Sequence, residues 1–194
     1  MGLSKGRLEA FSDGVLAIII TIMVLELRPP DDVTLEALLP LGPKIFSYVL
    51  SFVMIGIYWN NHHHLLQGAR VINGQVLWAN LHLLFWLSLF PFGTAWMGEH
   101  SFAAVPVAVY GVLLLAAALA YTILARILVR IQPEGSPLRD ALGVRDRKGD
   151  ASLLLYITGI AVAMFVPLAA VGCYVLVAAI WVIPDKRIER AFTR

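Results

Sequence analysis

Long apolar runs constrain this chain more than any motif within it. A helix that crosses a bilayer needs about 20 largely apolar residues at about 1.5 Å rise each. Runs of that kind occur at about 11–28, 43–61, 76–97 and 103–128; the first is closed by Pro29 and Pro30, and the second runs into His62, His63 and His64. A fifth stretch, 151–183, is too long for one helix and has Pro167 near its middle. It reads as a tight hairpin of two short helices, about 151–166 and 168–183, with one tilted, kinked helix as the alternative. The expected fold is an all-α polytopic membrane protein with six transmembrane helices, a single domain over 1–194.

Composition supports that reading. Of the 194 residues, 59% are hydrophobic and 14% charged, with a mean hydropathy of +0.78. An ordinary soluble domain is about 25% charged, and a soluble core of this size cannot hide the apolar surplus. The net charge of +2 points to no nucleic acid. A single cysteine, Cys173, excludes an internal disulfide framework. The first run carries Asp13 and Glu26 and is followed by Pro-Pro, which does not fit a cleavable signal peptide.

The basic residues give an orientation. With six spans, Lys5, Arg7, Arg70, the six basic residues of 126–148 and Lys186, Arg187, Arg190 and Arg194 share one side. Only Arg28 and Lys44 lie on the other. Thirteen against two places both termini in the cytoplasm of a multi-pass protein of the cell (inner) membrane, with an even number of spans.

Polar groups inside spans are costly and face a bundle interior or a cavity. Alternating helix directions bring Arg7, Ser12 and Asp13 of the first span to the depth of Asn60, Asn61, His62 and His63 at the end of the second. Asn80 and His82 of the third join them. A hydrogen-bonded network of Arg7, Asp13 and the histidines is the reading favoured over solvated interfacial histidines and over a metal or proton relay. Successive helix residues diverge by about 100°, so His62, His63 and His64 cannot share one face. On the first span, Gly14, Ile18, Thr21, Ile22 and Leu25 fall on one stripe. Periodicity alone reads such a stripe as helix packing or lipid contact.

The element Arg7-x-x-x-Phe11-Ser12-Asp13-Gly14, followed by the Ile/Thr/Leu stretch to Glu26, resembles the opening of the first helix in the transmembrane protein 175 family of potassium channels. Tyr58-Trp59-x-x-His62-His63 and Ser88-Leu89-Phe90-Pro91-Phe92-x-Thr94 with Glu99 are similar to further family elements. The resemblance implies a potassium-selective cation channel, a homotetramer in the lipid bilayer with helix one lining the pore and no cofactor besides permeant potassium and other monovalent cations. It also implies an apolar constriction at Ile18, further apolar rings at Ile22 and Leu25, and a pore-lining hydroxyl at Thr21. Arg7, Phe11, Ser12, Asp13, His62, His63 and His82 would form the structural motif network.

An isoleucine ring offers no oxygen ligand. Selectivity would then follow the lower cost of partly dehydrating potassium than the smaller sodium, and a narrow ring would act as a dewetting hydrophobic gate. Glu26, with Asp31 and Asp32 beyond it, reads either as an acidic outer mouth that concentrates cations or as ordinary solvated loop carboxylates. The alternative function is a proton-coupled or proton-conducting secondary transporter using Asp13, Glu26 and the histidines. An enzyme is not expected, because neither a nucleophile with its base nor a metal triad is spaced along the chain.

Overall fold

The structure, a computed structural model, describes residues 5–136, 138–139 and 146–182. Arg145, Lys186, Arg187, Arg190 and Arg194, which entered the charge argument, lie outside the described residues. The helices are α1 (Lys5–Leu25), α2 (Gly42–Gln67), α3 (Gly74–Ser88), α4 (Phe90–Glu99), α5 (Ala104–Ile131), α6 (Arg147–Ala163) and α7 (Pro167–Val182). A 3-10 helix, Glu36–Leu41, precedes α2. Among the described residues these make six passages of the bundle, because α3 and α4 are one passage broken at Leu89.

That break has a local cause. Pro91 has no N–H to give to the carbonyl of Leu87, and the ladder resumes only with Gly93 donating to the Leu89 carbonyl at 3.1 Å. Thr94 Oγ1 donates to the Phe90 carbonyl at 2.6 Å and further satisfies the kinked turn.

Side-chain contacts fix the alternation of direction. At the end of the bundle where α1 begins (the near end), Lys5 Nζ donates to the carbonyl of Gln67, the last residue of α2. At the far end, Lys44 at the start of α2 pairs with Glu99 at the end of α4, 3.5 Å apart. The near end is further tied by Gln132, which is 3% exposed. Its Oε1 accepts from the backbone N–H groups of Arg70 and Val71, while Nε2 donates to the carbonyls of Val71 and Leu128. One side chain thereby satisfies the α2–α3 loop and the last turn of α5.

α5 is the hub, packed against α3, α4, α6 and α7. α1 lies on one flank against α2, α3 and α4, and the α6–α7 hairpin lies on the other. The hairpin turn closes its own backbone. Phe165 and Val166 donate to the Val162 carbonyl, Ala169 and Ala170 donate to that of Val166, and Pro167 has no N–H to satisfy. Its tip is apolar and exposed at Met164, Phe165, Val166 and Leu168.

That α1 is already helical at Lys5, six residues before the apolar run, and that α2 runs to Gln67, six after it, have one explanation. Helical hydrogen bonding continues past the apolar segment until a loop stops it, so hydropathy finds the run and not the helix ends.

Tyr174 locks the hairpin onto α5. It passes between Gly111 of α5 and Gly159 of α6, and a Cβ at either glycine would collide with its ring or hydroxyl. Its hydroxyl donates to the Val107 carbonyl at 3.3 Å. Gly159→Ala should therefore destabilise the protein by about 1–3 kcal/mol through overpacking. Gly172→Ala, where nothing lies within 4 Å of a new Cβ, should leave thermal unfolding unchanged. Melting of the two variants in lipid nanodiscs, compared with the parent, checks this.

Candidate functional site

The buried polar centre of the near end is a chain of three side chains on three helices. Ser12 of α1 is fully buried, and its hydroxyl donates to the Leu8 carbonyl at 2.8 Å. With that proton committed, Ser12 Oγ can only accept from Asn80 Nδ2 of α3, at 2.9 Å. This places Asn80 Oδ1 toward His62 Nε2 of α2, 2.7 Å away, so His62 must be the donor. The donors run from His62 to Asn80 to Ser12 to the α1 backbone. The chain fixes α1 against α2 and α3 at one depth, and every member is satisfied.

The remaining residues expected in that network lie elsewhere. Asp13 is exposed and accepts from Trp59 Nε1 at 3.1 Å. His63 is exposed, stacked on Trp59 with ring centroids 6.0 Å apart, and meets His64 edge-on. His82 is exposed and accepts from Trp86 Nε1 at 2.9 Å. Arg7 is exposed and makes no ion pair among the described residues, and Phe11 is exposed. Within one chain, then, Arg7 and Asp13 do not meet the histidines. Helix geometry explains it: Arg7, Ser12 and Asp13 project at widely different angles, so when Ser12 faces the core the other two face out.

Two partners were missed by the sequence reading, Trp59 and Trp86. Both sit four residues from a histidine, Trp59 before His63 and His82 before Trp86, the spacing that stacks side chains on a helix. That repeated i, i+4 pairing was the available signal.

The other face of α1 is where the apolar stripe lies. Leu16, Ile19 and Met23 are buried against the bundle, whereas Ile18, Ile22 and Leu25 are 59%, 43% and 76% exposed. Gly14 and Thr21 are exposed on the same side, and the Thr21 hydroxyl donates to the Ile18 carbonyl at 2.8 Å. An open groove runs from Ile22 and Glu26 to Phe92 and Trp96 of α4. Glu26 itself is exposed just past the end of α1, and Lys44 and Glu99 line a second pocket with it at the far end. Among the described residues no three His, Cys, Asp or Glu side chains converge as a metal-binding set.

The fold is a membrane-spanning helical bundle that buries one face of its first helix through a polar chain and leaves an apolar stripe of that helix bare. The family described as the endosomal/lysosomal potassium channel TMEM175 matches residues 7–91. A potassium channel of Chryseobacterium sp. (strain P1-3) is 53% identical over 189 residues, covering 97% of this chain and 98% of that one. The chain belongs to the TMEM175 family of ion channels. The crystal structure of a lysosomal potassium-selective channel TMEM175 homologue from Chamaesiphon minutus shares the fold, with a TM-score of 0.79, 26% identity, and 97% and 98% of the two chains covered. The human endosomal/lysosomal proton channel TMEM175 is 39% identical over 80 residues, which are 35% of this chain and 16% of that protein.

Proposed function

We propose that the chain conducts potassium passively as a homotetramer in the cell membrane, with α1 from each copy lining the pore and both termini cytoplasmic. The observation that carries this is the bare stripe of Ile18, Ile22 and Leu25 on a helix whose opposite face is buried. One helix cannot enclose an axial pore, so the stripe needs further copies, and closed rotational symmetry is the common solution. The potassium-channel relative that covers almost the whole chain supports the permeant ion.

In this reading, 1–194 is one functional unit. Ile18 forms the narrowest apolar ring, Ile22 and Leu25 form wider rings, and Thr21 presents its hydroxyl oxygen beside them while its proton is held by the backbone. Glu26 forms part of an acidic outer mouth. Asp13 and His63, exposed in the single chain with Trp59 between them, and Arg7, Phe11 and His82 are placed to meet a neighbouring copy. No cofactor takes part.

Purified protein in planar bilayers tests the proposal. Under bi-ionic potassium/sodium conditions the expected result is ohmic unitary current with a reversal potential displaced to the potassium-preferring side. Native mass measurement from nanodiscs should give four chains. A stable monomer, or a saturable flux that follows an imposed pH gradient and not the potassium gradient, would overturn it. The second result would favour the proton-conducting reading that the animal relatives' name suggests.

A further inference from the structure

Although α5 is the hub of the bundle, one strip of it stays bare. Val105, Val112, Leu119 and Ile123 are exposed, and at about 100° per residue they fall within about 40° of one another around the helix. From Val105 to Ile123 the strip is about 27 Å long, close to the hydrocarbon thickness of about 30 Å.

At the near end the strip runs into charge. Arg126 and Arg130 are exposed and continue it on the same side of α5. They lie about 4.5 Å and about 10.5 Å past Ile123 along the axis, where hydrocarbon gives way to headgroups. Residues four apart on a helix are neighbours, with Cβ atoms about 5–6 Å apart. The two guanidinium groups therefore serve one place. α5 carries no acidic residue along its length, and neither arginine forms an ion pair among the described residues. Arg139, in the segment after α5, differs: its guanidinium stands 3.9 Å from the Glu134 carboxylate.

The strip and the arginines ask for different things. An apolar face at membrane depth takes acyl chains, and a guanidinium fork matches the oxygens of a phosphate. A phospholipid supplies both in one molecule. A zwitterionic headgroup brings an ammonium close to the pair, whereas an anionic one brings only the charge that the pair complements.

We propose that this face of α5 is a binding site for an anionic phospholipid of the leaflet at the near end. Its phosphate lies between Arg126 and Arg130, and an acyl chain follows Ile123, Leu119 and Val112. The site is independent of the pore reading, since its evidence lies on α5 and none of it on α1. Gln132, two residues after Arg130, ties the last turn of α5 to the α2–α3 loop, so the lipid sits on the end of the hub helix that is already anchored.

The test is native mass spectrometry of the full chain, titrated in detergent with anionic palmitoyl-oleoyl phosphatidylglycerol or zwitterionic palmitoyl-oleoyl phosphatidylcholine. The phosphatidylglycerol should be retained about tenfold more tightly, as charge-assisted contacts to a phosphate allow. The double variant Arg126→Gln, Arg130→Gln should erase that preference. Arg70→Gln with Arg147→Gln removes two exposed near-end charges away from the strip and should leave the preference intact. Arg130→Gln alone should lower it severalfold and carries the test should the Arg126, Arg130 variant not assemble. Equal retention of the two lipids, a preference unaltered in the variants on the strip, or an equal loss in the Arg70, Arg147 variant would overturn the proposal. So would an assembly that retains no phosphatidylglycerol, because another copy of the chain would then cover the strip.

Discussion

Ile18→Ala should raise unitary conductance and lower the preference for potassium over sodium by about threefold to tenfold, equivalent to roughly 0.7–1.4 kcal/mol of lost discrimination. In the proposed tetramer, shortening the four side chains of the Ile18 ring would widen it and reduce how much water each ion must shed. Ile18→Asn should let water enter the ring and give leak through an otherwise closed pore. The single chain buries little of Ile18, which is 59% exposed, so these variants should fold normally. Ile19, the neighbouring isoleucine, cannot serve as a silent control. It is 3% exposed in the core, and Ile19→Ala should cost about 2–5 kcal/mol of stability through transfer and cavity terms. Val24, 44% exposed on a different side of α1, is the better control, and Val24→Ala should change neither current nor melting. Unchanged conductance in a well-assembled Ile18→Ala channel would place the constriction elsewhere.

Asn80→Leu should be the most damaging single change in the polar centre. It removes the acceptor for His62 Nε2 and the donor to Ser12 Oγ together, and all three groups are buried. His62 Nε2, left buried without its acceptor, costs about 1–3 kcal/mol, and Ser12 keeps only its bond to the Leu8 carbonyl. The combined variant His62→Leu, Asn80→Leu and Ser12→Ala should recover part of that loss, because removing all the polar partners also removes the unsatisfied groups. Thermal unfolding of the single and combined variants in nanodiscs checks both statements. Parent-like melting of Asn80→Leu would show that the chain holds nothing together.

Hydropathy was enough to find the passages because hydrocarbon demands length and apolarity, and both are written along the chain. The break at Leu89 was less legible: Pro91 marks it, but the run 76–97 reads as continuous since Phe90 and Phe92 keep it apolar. The polar centre was legible in composition and not in geometry. Ser12, His62 and Asn80 all stood among the polar residues at one depth, yet which of three adjacent histidines turns inward depends on how α2 is rotated by its packing. That rotation is set by Leu50, Met54, Ile55 and Tyr58, residues whose type gives no preference between neighbouring faces. The outward set of Arg7, Asp13 and His63 follows from the same rotation. The stripe on α1 was visible as a period, but only the structure shows that no other part of the described chain covers it.

The α6–α7 hairpin also makes the molecule uneven in height. At about 1.5 Å per residue, the 17 residues of α6 span roughly 26 Å, against a hydrocarbon thickness of about 30 Å. A turn that satisfies its own backbone and shows Phe165 and Leu168 to its surroundings has no need to reach water. It can end inside the bilayer, where an open backbone could not. The lipid beside this flank must then thin to meet it, or the hairpin must shift, at a cost that grows with each ångström of hydrophobic mismatch. A change in membrane thickness would bear on the flank opposite α1, which Tyr174 ties to the hub helix α5.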